Sequence, residues 1–517
     1  MDKSIATVIG KDVIESLTIG MYEDSRFIYR EYIQNAADQI DKSIREKLIE
    51  RGEIHISIDA SSKSICIEDN ATGIAQNQVL SILKNIAQST KQRGVDKGFR
   101  GIGRLGGLGY CDKLIFETSF KGETTKSIMT WDATLLKNII NNRKGKEEAS
   151  KVIDEVTSIK TEKEKEDSHY FKVILTGISN EDLLNVSEIR EYLSMVAPVP
   201  LANKFIFRSK IYEELKADKI TIDEYNIFIN EEQLFKAYTP YIYETEGKAK
   251  TDEIFDVIFI KEKAKDGTWL FWGWYGISSF KGRLKKLNSS RGLRLRKSNI
   301  QVGDENTLSR LHKEPDRGNF YFFGEVHGIH PDLIPNSRRD YFTENDLYSE
   351  FELKVKSIFY NQLHKLYYNA SEVNSAVKKI EELNNFKKEL ETKREQGFTD
   401  KNEQQQYFER FEKKKFEAQK AESKLQKFAD TSANSSHIPI NRILEKAISN
   451  KPLKVDFVSE PNFDSKPKFR TDNLSKLNKE QRKFLGDIFG IIKNVLPQET
   501  AENLIRKIEE EYKWKFQ

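Results

Sequence analysis

The chain has 517 residues, enough for about three domains, and its 85 basic residues nearly balance its 81 acidic ones. A net charge of +4 gives no chain-wide argument for nucleic-acid binding, so only a local basic patch would support that function. Two cysteines, Cys66 and Cys111, do not make a disulfide framework, and the densest apolar run, Trp269–Ile277, is far shorter than the ~18 residues of a membrane helix. We therefore expect a cytoplasmic protein without membrane attachment.

The N-terminal third begins with helical patterns at residues 14–17 and 27–48. Two runs that alternate apolar and polar residues, 53–59 and 64–68, flank a Ser-Ser-Lys turn and predict a hairpin. Further strands are predicted at 114–118 and 172–176. A helix followed by several strands indicates an α+β sandwich instead of a βαβ array.

The second helix carries three polar residues on one face. Glu31, Asn35 and Asp38 stand at i, i+4 and i+7, so an α-helix presents them together. The apolar residues lie on another face: Ile33, Ala37, Ile40 and Ile44. One face can therefore pack on a sheet while the other presents a carboxylate that can activate water and an amide oxygen that can bind Mg²⁺. An ordinary amphipathic helix is the alternative.

A turn of the form Asp-Asn-x-x-Gly follows the second strand. Asp69, at the strand end, can accept a hydrogen bond from an adenine amino group. Gly73, which precedes Ile74, permits a tight turn and a close approach of the backbone. The same pattern also occurs in ordinary structural turns.

A glycine-rich stretch extends to residue 109, and its backbone N–H groups suit phosphate oxygens. The candidate phosphate-binding residues are Lys97, Arg100, Gly101, Gly103, Arg104, Gly106, Gly107 and Gly109. Three of these glycines match G-x-G-x-x-G, but no strand precedes them, which argues against a dinucleotide fingerprint. The sequence has no P-loop motif. A flexible glycine loop is the alternative.

Residues 142–168 are a charge-dense insert that we expect to be a solvated loop. A second α/β region follows, with strands predicted at 226–229, 255–260 and 269–277. Residues 281–297 are strongly basic, and their leucines alternate with arginines as in a strand with one apolar face. This stretch could contact nucleic-acid phosphates or an acidic client, or remain a solvated strand.

The last third of the chain is predicted to be helical. Residues 366–430 suggest two long charged helices of coiled-coil type, separated at Gly397. A linker is expected at 431–469. Residues 470–517 suggest two amphipathic helices that are broken at Pro497.

Together, the helix motif, the turn and the glycine stretch resemble the Bergerat ATP-binding fold of the GHKL superfamily (gyrase, heat-shock chaperone, histidine kinase, MutL). The likeness is greatest to the ninety-kilodalton heat-shock chaperone. Glu31, Asn35 and Asp38 match that family's helix motif, and Asp69 with Gly73 matches its adenine box. Its lid and glycine boxes look like residues 86–90 and 102–106.

The resemblance implies an α+β protein in three parts. A Bergerat-type ATP-binding α/β sandwich would occupy residues 1–185, and a second α/β domain of the middle or transducer type would occupy 186–365. A helical C-terminal region would follow. The chain departs from the chaperone pattern at Ala71, often a glycine, and at residues 106–109, which are one residue longer; the late-strand threonine that helps to bind adenine has no match near 170–173.

The resemblance also implies residue roles in a slow ATPase that uses ATP and Mg²⁺. Glu31 would be the general base, Asn35 the Mg²⁺ ligand and Asp69 the adenine-binding residue. Asp38, Ile74 and the glycine stretch would complete the nucleotide site beneath a mobile lid.

Residues 333–340 resemble the chaperone's middle-domain loop, in which an arginine reaches the γ-phosphate. Either Arg338 or Arg339 matches that arginine, and a guanidinium suits a phosphate. A surface arginine pair bonded to carboxylates is the alternative. Gln301 is a weaker candidate for the same interface.

Three functions fit this pattern. The first is an ATP-driven, chaperone-like clamp that acts on protein partners as a homodimer held by its C-terminal helices. The second resembles the DNA-associated MutL or MORC clamps of repair and of defence against mobile elements, and residues 281–297 support it. The third is a non-enzymatic ATP-sensing scaffold for a partner effector, against which Glu31 argues.

Overall fold

The computed structural model describes residues 8–18, 24–86, 103–142, 145–245, 249–398, 401–433, 441–443, 445–446 and 477–515. The chain divides into two compact units, Met1–Lys365 and Leu366–Gln517. Among the described helices, none combines the length and the apolarity that crossing a bilayer requires.

The first unit opens with α1 (Asp12–Thr18) and α2 (Phe27–Arg45) and is built on a mixed sheet. The described strands of that sheet are β1 (Glu53–Asp59), β2 (Ser64–Asp69), β3 (Lys113–Ser119), β4 (Thr125–Asp132), β5 (Thr157–Lys163), β6 (Tyr170–Thr176), β7 (Asn226–Ile229) and β8 (Glu232–Gln233). Their order is β5-β4-β3-β6-β2-β1-β7-β8, and β1 and β7 pair in parallel whereas the other neighbours are antiparallel. The predicted hairpin is confirmed as β1 and β2.

The apolar face of α2 explains its position in the fold. Ile33, Ala37 and Ile40 are at most 1% exposed and join one core with the inward side chains of β1 and β2. Burying an isoleucine contributes roughly 1.5–3 kcal/mol, so this face fixes the helix against the sheet. Ile44, which continues the pattern, is 44% exposed near the end of the helix.

The prediction of a solvated loop at 142–168 is wrong. Within the described part of this insert, α5 (Ala149–Val156) packs Val152 and Val156 into the core, and β5 adds an edge strand to the sheet. The charges of the insert lie mostly on the exposed face of α5, on the exposed strand β5 and in the segment after it, so their density hid a short amphipathic helix and an edge strand. The other short helices of this sheet layer are α3 (Val79–Leu83), α4 (Ala133–Asn141), α6 (Val186–Val196) and α7 (Arg208–Ala217).

A second sheet follows in the same unit. Its strands are β11 (Asp256–Lys263), β12 (Trp269–Ile277), β13 (Gly292–Lys297), β14 (Ile300–Gln301) and β15 (Phe323–Gly328), in the order β11-β12-β15-β13-β14. A small ribbon of β9 (Tyr241–Tyr243) and β10 (Lys250–Glu253) precedes it, and α8 (Pro315–Gly318) and α9 (Asp346–Ile358) complete the region. The predicted α+β class is confirmed, and the aromatic run forms the buried strand β12.

The basic strand β13 is buried on both faces, so the alternative of a solvated strand is wrong. Arg296 is fully buried, and its Nε lies 2.6 Å from Oε1 of Glu325 on β15. Lys236, also buried, lies 2.7 Å from the same carboxylate, and Lys297 donates to the carbonyl of His330. Within residues 281–297, the basic residues that remain exposed are Lys281, Arg283, Lys285 and Lys286. Half of the basic stretch therefore stabilises the second sheet through internal ion pairs and hydrogen bonds.

The second unit contains long helices. After a π-helical turn at Phe359–Leu363, α10 (His364–Gln396) leads into this unit, and α11 (Lys401–Ala433) returns along it. Gly397 lies between them with φ +85°, as the predicted break requires. The predicted pair near the C-terminus is confirmed as α12 (Lys479–Val495) and α13 (Gln498–Lys515), on either side of Pro497. Most of the expected linker 431–469 lies outside the described residues.

Two buried histidines make the first unit sensitive to acid. Burial lowers the pKa of His312 to about 3 and that of His327 to about 4, whereas an unfolded histidine titrates near about 6.5. Between these values the unfolded chain binds protons that the folded chain does not. The free energy of unfolding is therefore expected to fall as the pH drops from about 6.5 towards 4.

A His312→Phe variant is expected to make that pH dependence shallower, by up to about 1.4 kcal/mol per pH unit. The new ring would keep the stacking against Phe359, whose centroid lies 4.2 Å away. Urea unfolding followed by tryptophan fluorescence at pH 7, 6 and 5 measures the slope. A His55→Phe variant, at a half-exposed position on β1, is the control. Equal slopes in wild type and His312→Phe would contradict the assignment.

Candidate active site

Helix α2 buries two of the three polar residues of its motif. Glu31 and Asp38 are each 5% exposed, and Asn35 is half-buried. Carboxylates are seldom buried to this degree unless they are paired or bind a ligand. Because all three lie on one helical face, the structure presents two carboxylates and an amide from a single rigid element.

The glycine segment Gly103–Gly109 forms a 3₁₀ helix against α2. A Cβ atom at Gly103 would lie 2.1 Å from Oε2 of Glu31, so no larger residue fits without displacing that carboxylate. A Cβ at Gly106 would meet the ring of Phe27 at 2.7 Å. The backbone N–H of Gly107 donates to the hydroxyl of Tyr32 over 3.1 Å. Glycine at these positions therefore brings the backbone of the segment against the motif helix.

The basic residues of the glycine stretch are only partly described. Lys97, Arg100 and Gly101 lie outside the described residues, as do residues 87–90 of the expected lid. Arg104 donates from Nη2 to the backbone carbonyl of Asn85, and burial lowers its pKa to about 10. Its guanidinium therefore holds Asn85, the residue just before the expected lid. Gly109 ends the 3₁₀ helix, half-buried.

The adenine-box residues form a turn at the end of β2. Asp69 is 3% exposed, and its Oδ1 accepts a hydrogen bond from the N–H of Ala71 over 3.1 Å. Gly73 has φ +67°, and a Cβ there would lie 1.8 Å from the carbonyl oxygen of Ser119. Both the left-handed backbone and the close approach require glycine. The turn is therefore fixed with the Asp69 carboxylate inside the sheet layer.

Thr118 supports this turn and was not singled out by the sequence. Its hydroxyl accepts a hydrogen bond from the N–H of Ile74 over 2.8 Å and donates to the carbonyl of Tyr170 over 3.0 Å. Phe171 on β6 pairs with Thr118 on β3 and with Asp69 on β2, so one strand separates the threonine from the aspartate. Residues 170–173 contain no threonine, and the hydroxyl that supports this turn belongs to β3, at the end of a strand that the sequence did predict.

The arginine loop, residues 333–340 of the second α/β region, is a tight turn closed by a bridge between Pro335 and Phe342. Arg339 lies at its tip with φ +56°, an uncommon conformation for a residue other than glycine. The N–H of Gly303 donates to the Arg339 carbonyl over 2.7 Å and holds the tip in place. Gln301, 3% exposed, donates in turn to the carbonyl of Gly303 over 3.0 Å. Gln301 therefore supports the loop from beneath.

Arg339 contacts the motif helix directly. Its Nε lies 2.7 Å from Oε1 of Glu31, and the two side chains are 13% and 6% exposed. Arg338, the neighbouring candidate, is exposed. The structure thus brings Glu31, Gly103 and Arg339 together. Asp69, Gly73 and Ile74 form a separate turn after β2, a strand that α2 also contacts.

A cleft of about 800 Å³ opens beside this contact. The first turn of α2 and helix α6 form one wall, and the loops around β13 and the tip at Arg339 form the other. We call it the arginine cleft, after the arginines that line it: Arg26, Arg30, Arg291, Arg294, Arg338 and Arg339.

Comparison with known families gives a match over the same part of the chain. Residues 25–166 match the family described as "Histidine kinase-, DNA gyrase B-, and HSP90-like ATPase". The match begins just before α2 and includes Glu31, Asp69 and the glycine segment. The chain carries a GHKL-type ATPase domain. Arg339 and the second sheet lie beyond the part of the chain that matches this domain family.

The chain is similar to several chaperones. It is 24% identical over 298 residues to the chaperone protein HtpG of Buchnera aphidicola, covering 51% of this chain and 44% of that relative. It is 25% identical over 143 residues to HtpG of Burkholderia ambifaria, covering 24% and 23%. It is 30% identical over 92 residues to the mitochondrial 75 kDa heat shock protein of Bos taurus, covering 17% and 13%. The chain therefore spans less than half the length of these relatives.

Proposed function

We propose that this protein binds ATP and hydrolyses it slowly, and that the nucleotide controls the position of the second region relative to the ATPase domain. The observation that carries the proposal is the 2.7 Å ion pair between Arg339 and Glu31. It joins a loop of the second region to the residue that we propose as the general base. A change in charge beside Glu31 would therefore alter the electrostatic attraction that holds that loop.

The residues present fit ATP and Mg²⁺. Asn35 offers an amide oxygen beside two buried carboxylates, and oxygen donors of this kind suit Mg²⁺. Because Gly103 has no side chain, the Glu31 carboxylate lies directly against this segment, whose backbone N–H groups suit phosphate oxygens. The carboxylate of Asp69 can accept a hydrogen bond from the adenine amino group. When bound, Mg²⁺ would neutralise part of the phosphate charge.

The proposed chemistry uses Glu31 as a general base that accepts a proton from the attacking water. Arg339 has the donors to contact both this carboxylate and a phosphate oxygen, because a guanidinium presents five N–H groups in a planar fork. Positive charge at that point would stabilise the charge that develops during phosphoryl transfer. Glu31 would orient the arginine, and the arginine would complete the site.

The similarity to HtpG and to the mitochondrial 75 kDa heat shock protein favours protein partners over nucleic acid. Arg294 and Arg296 are buried and Lys297 is half-buried, which removes much of the basic surface on which the DNA-clamp alternative depended. We therefore propose a chaperone-like conformational clamp.

We also propose that the clamp is a homodimer held through α12. On this helix Phe484, Ile488, Ile491 and Val495 follow a 4-3-4 spacing, which places them in one stripe. Three of them, Phe484, Ile491 and Val495, are 62–75% exposed within the described residues. An apolar stripe of this kind suits a second copy of the same helix. Sedimentation of wild type against an Ile491→Glu variant tests the dimer.

Replacing Arg339 with alanine is expected to slow ATP turnover by at least about tenfold with little loss of ATP affinity, because the arginine acts on the charge of the transition state. Steady-state hydrolysis and equilibrium nucleotide binding measure the two quantities. Arg338→Ala is the matched control, since Arg338 is adjacent, exposed and not in contact with Glu31 among the described ion pairs. If both variants turn over like wild type, the coupling role of this loop is wrong.

A further inference from the structure

The arginine cleft has the volume of a small-molecule site. Its ≈ 800 Å³ falls within the range of about 300–1,000 Å³ that ligand pockets occupy. Its walls are contributed by the ATPase domain and by the second sheet region, so a ligand there would contact both. Arg30 lines the cleft. It immediately precedes Glu31, so the two side chains leave α2 about 100° apart around the helix axis.

Arg30 is the first unexplained charge in this cleft. Its side chain is 7% exposed, and its Nε has no hydrogen-bond partner. Among the described residues no ion pair to Arg30 is found either. The charge of Arg30 helps to lower the pKa of the Asp24 carboxyl, but that carboxylate is hydrogen-bonded to Arg26. A buried N–H group without an acceptor is costly, and a ligand that supplies the acceptor removes this cost.

Arg294 repeats this feature on the opposite wall. It is 6% exposed, and its Nη2 donates to the carbonyl of Ser289 over 2.6 Å. Its Nη1 donates to Oε1 of Gln301 over 3.4 Å and lies 3.5 Å from a carboxylate oxygen of Glu305, so only Nε lacks a partner, as in Arg30. Two buried arginines from different regions of the chain therefore line one cleft, and each has an Nε without a hydrogen-bond partner.

The acidic residues of the cleft do not remove this excess of donors. Asp24 is bonded to Arg26 over 2.8 Å, and Glu305 is paired with Arg291 over 3.1 Å. Asp304 accepts hydrogen bonds within its own turn, from the N–H of Asn306. Glu188 and Glu191 lie on the α6 side. The lining is thus close to neutral overall, and recognition would come from the two buried guanidinium groups.

We propose that the arginine cleft binds a small phosphate-bearing ligand through Arg30 and Arg294. The site is distinct from the Asp69 turn. The proposed function assigns adenine to that turn, and the cleft site does not depend on this assignment. A phosphate group offers several acceptor oxygens for the two unsatisfied Nε–H groups and a charge of the right sign for two guanidinium groups. Exposed Lys286 and Arg338 at the cleft would attract the anion. A ligand bound there would bridge the walls beside the Arg339–Glu31 pair.

Calorimetric titration of the full chain with inorganic pyrophosphate tests this proposal. Binding is expected to persist when ADP is present at saturation and to weaken about 10- to 100-fold in Arg30→Gln and, independently, in Arg294→Gln. Arg310→Gln, which alters an exposed arginine paired with Glu352, is the control and should bind as wild type does. The melting temperature of each glutamine variant, measured without ligand, separates a loss of pyrophosphate binding from a loss of folding.

Three results would overturn the cleft assignment. Pyrophosphate could fail to bind the wild type, it could be displaced completely by ADP, or it could bind both glutamine variants with unchanged affinity. The proposed ATPase function is tested separately by the binding of ADP itself. If ADP does not bind but pyrophosphate binds in an Arg30-dependent manner, the ATPase proposal fails and the cleft site stands.

Discussion

Replacing Glu31 with alanine is expected to reduce ATP hydrolysis by about 10²- to 10⁴-fold, the usual contribution of a general base, while ATP still binds. Glu31 is 5% exposed, its Oε1 lies 2.7 Å from Nε of Arg339, and its Oε2 occupies the space where a side chain at residue 103 would lie. It therefore lies beside the glycine segment Gly103–Gly109, which we propose to bind phosphate, and it is positioned to accept a proton from water. Loss of the carboxylate removes that acceptor without altering the Asp69 turn. Phosphate release under single-turnover conditions measures the effect.

The companion variant Glu31→Gln separates chemistry from packing. Glutamine preserves the shape and can accept a hydrogen bond from Arg339, but it cannot take a proton at neutral pH. Both variants are expected to lose hydrolysis alike. Glu46→Ala removes the same charge from an exposed position at the end of α2 and should turn over normally. Hydrolysis at the wild-type rate in Glu31→Gln would remove Glu31 from the mechanism.

Features that depend on local sequence were predictable. The α2 motif, the β1–β2 hairpin and the break at Gly397 follow from side-chain spacing and from single residues with special backbone preferences. The motif placed Glu31 and Asn35 on one face because 3.6 residues form each helical turn. No partner from elsewhere in the chain is needed to reach these conclusions.

Features that depend on distant partners were not predictable from the same patterns. Arg296 looked like a solvated basic residue, but its partner Glu325 is 29 positions away and on another strand. The choice between Arg338 and Arg339 also stayed open, because both occupy one turn. The left-handed backbone of Arg339 and its bond to Gly303 direct this side chain, and not its neighbour's, to Glu31.

The burial of the arginines in the arginine cleft also depends on distant parts of the chain. From the sequence, Arg30 is simply the residue before the motif glutamate. Only the approach of β13 and its loops encloses Arg30 with Arg294 in a single space. A signal was nevertheless present, since an arginine beside a catalytic motif and an arginine in an apolar strand are both positions where a charge needs an explanation.

Replacing Asp69 with asparagine is expected to weaken ATP binding by about 10- to 100-fold, because the adenine amino group would face an amide donor in a buried site. Asparagine can still accept the hydrogen bond from Ala71 through its remaining oxygen, so the turn should keep its form. The loss should therefore appear in affinity and not in the melting temperature. Equilibrium titration with ATP measures it.

A purine nucleotide that lacks the 6-amino group makes this test specific to one hydrogen bond. Purine riboside triphosphate is expected to bind wild type and Asp69→Asn with similar affinity, since neither complex contains the donor that Asp69 would accept. Asp59→Asn, at an exposed position on β1 of the same sheet, controls for the lost charge. If Asp69→Asn weakens both nucleotides equally, Asp69 stabilises the turn and does not bind adenine. If it weakens neither, the adenine end lies elsewhere in the domain.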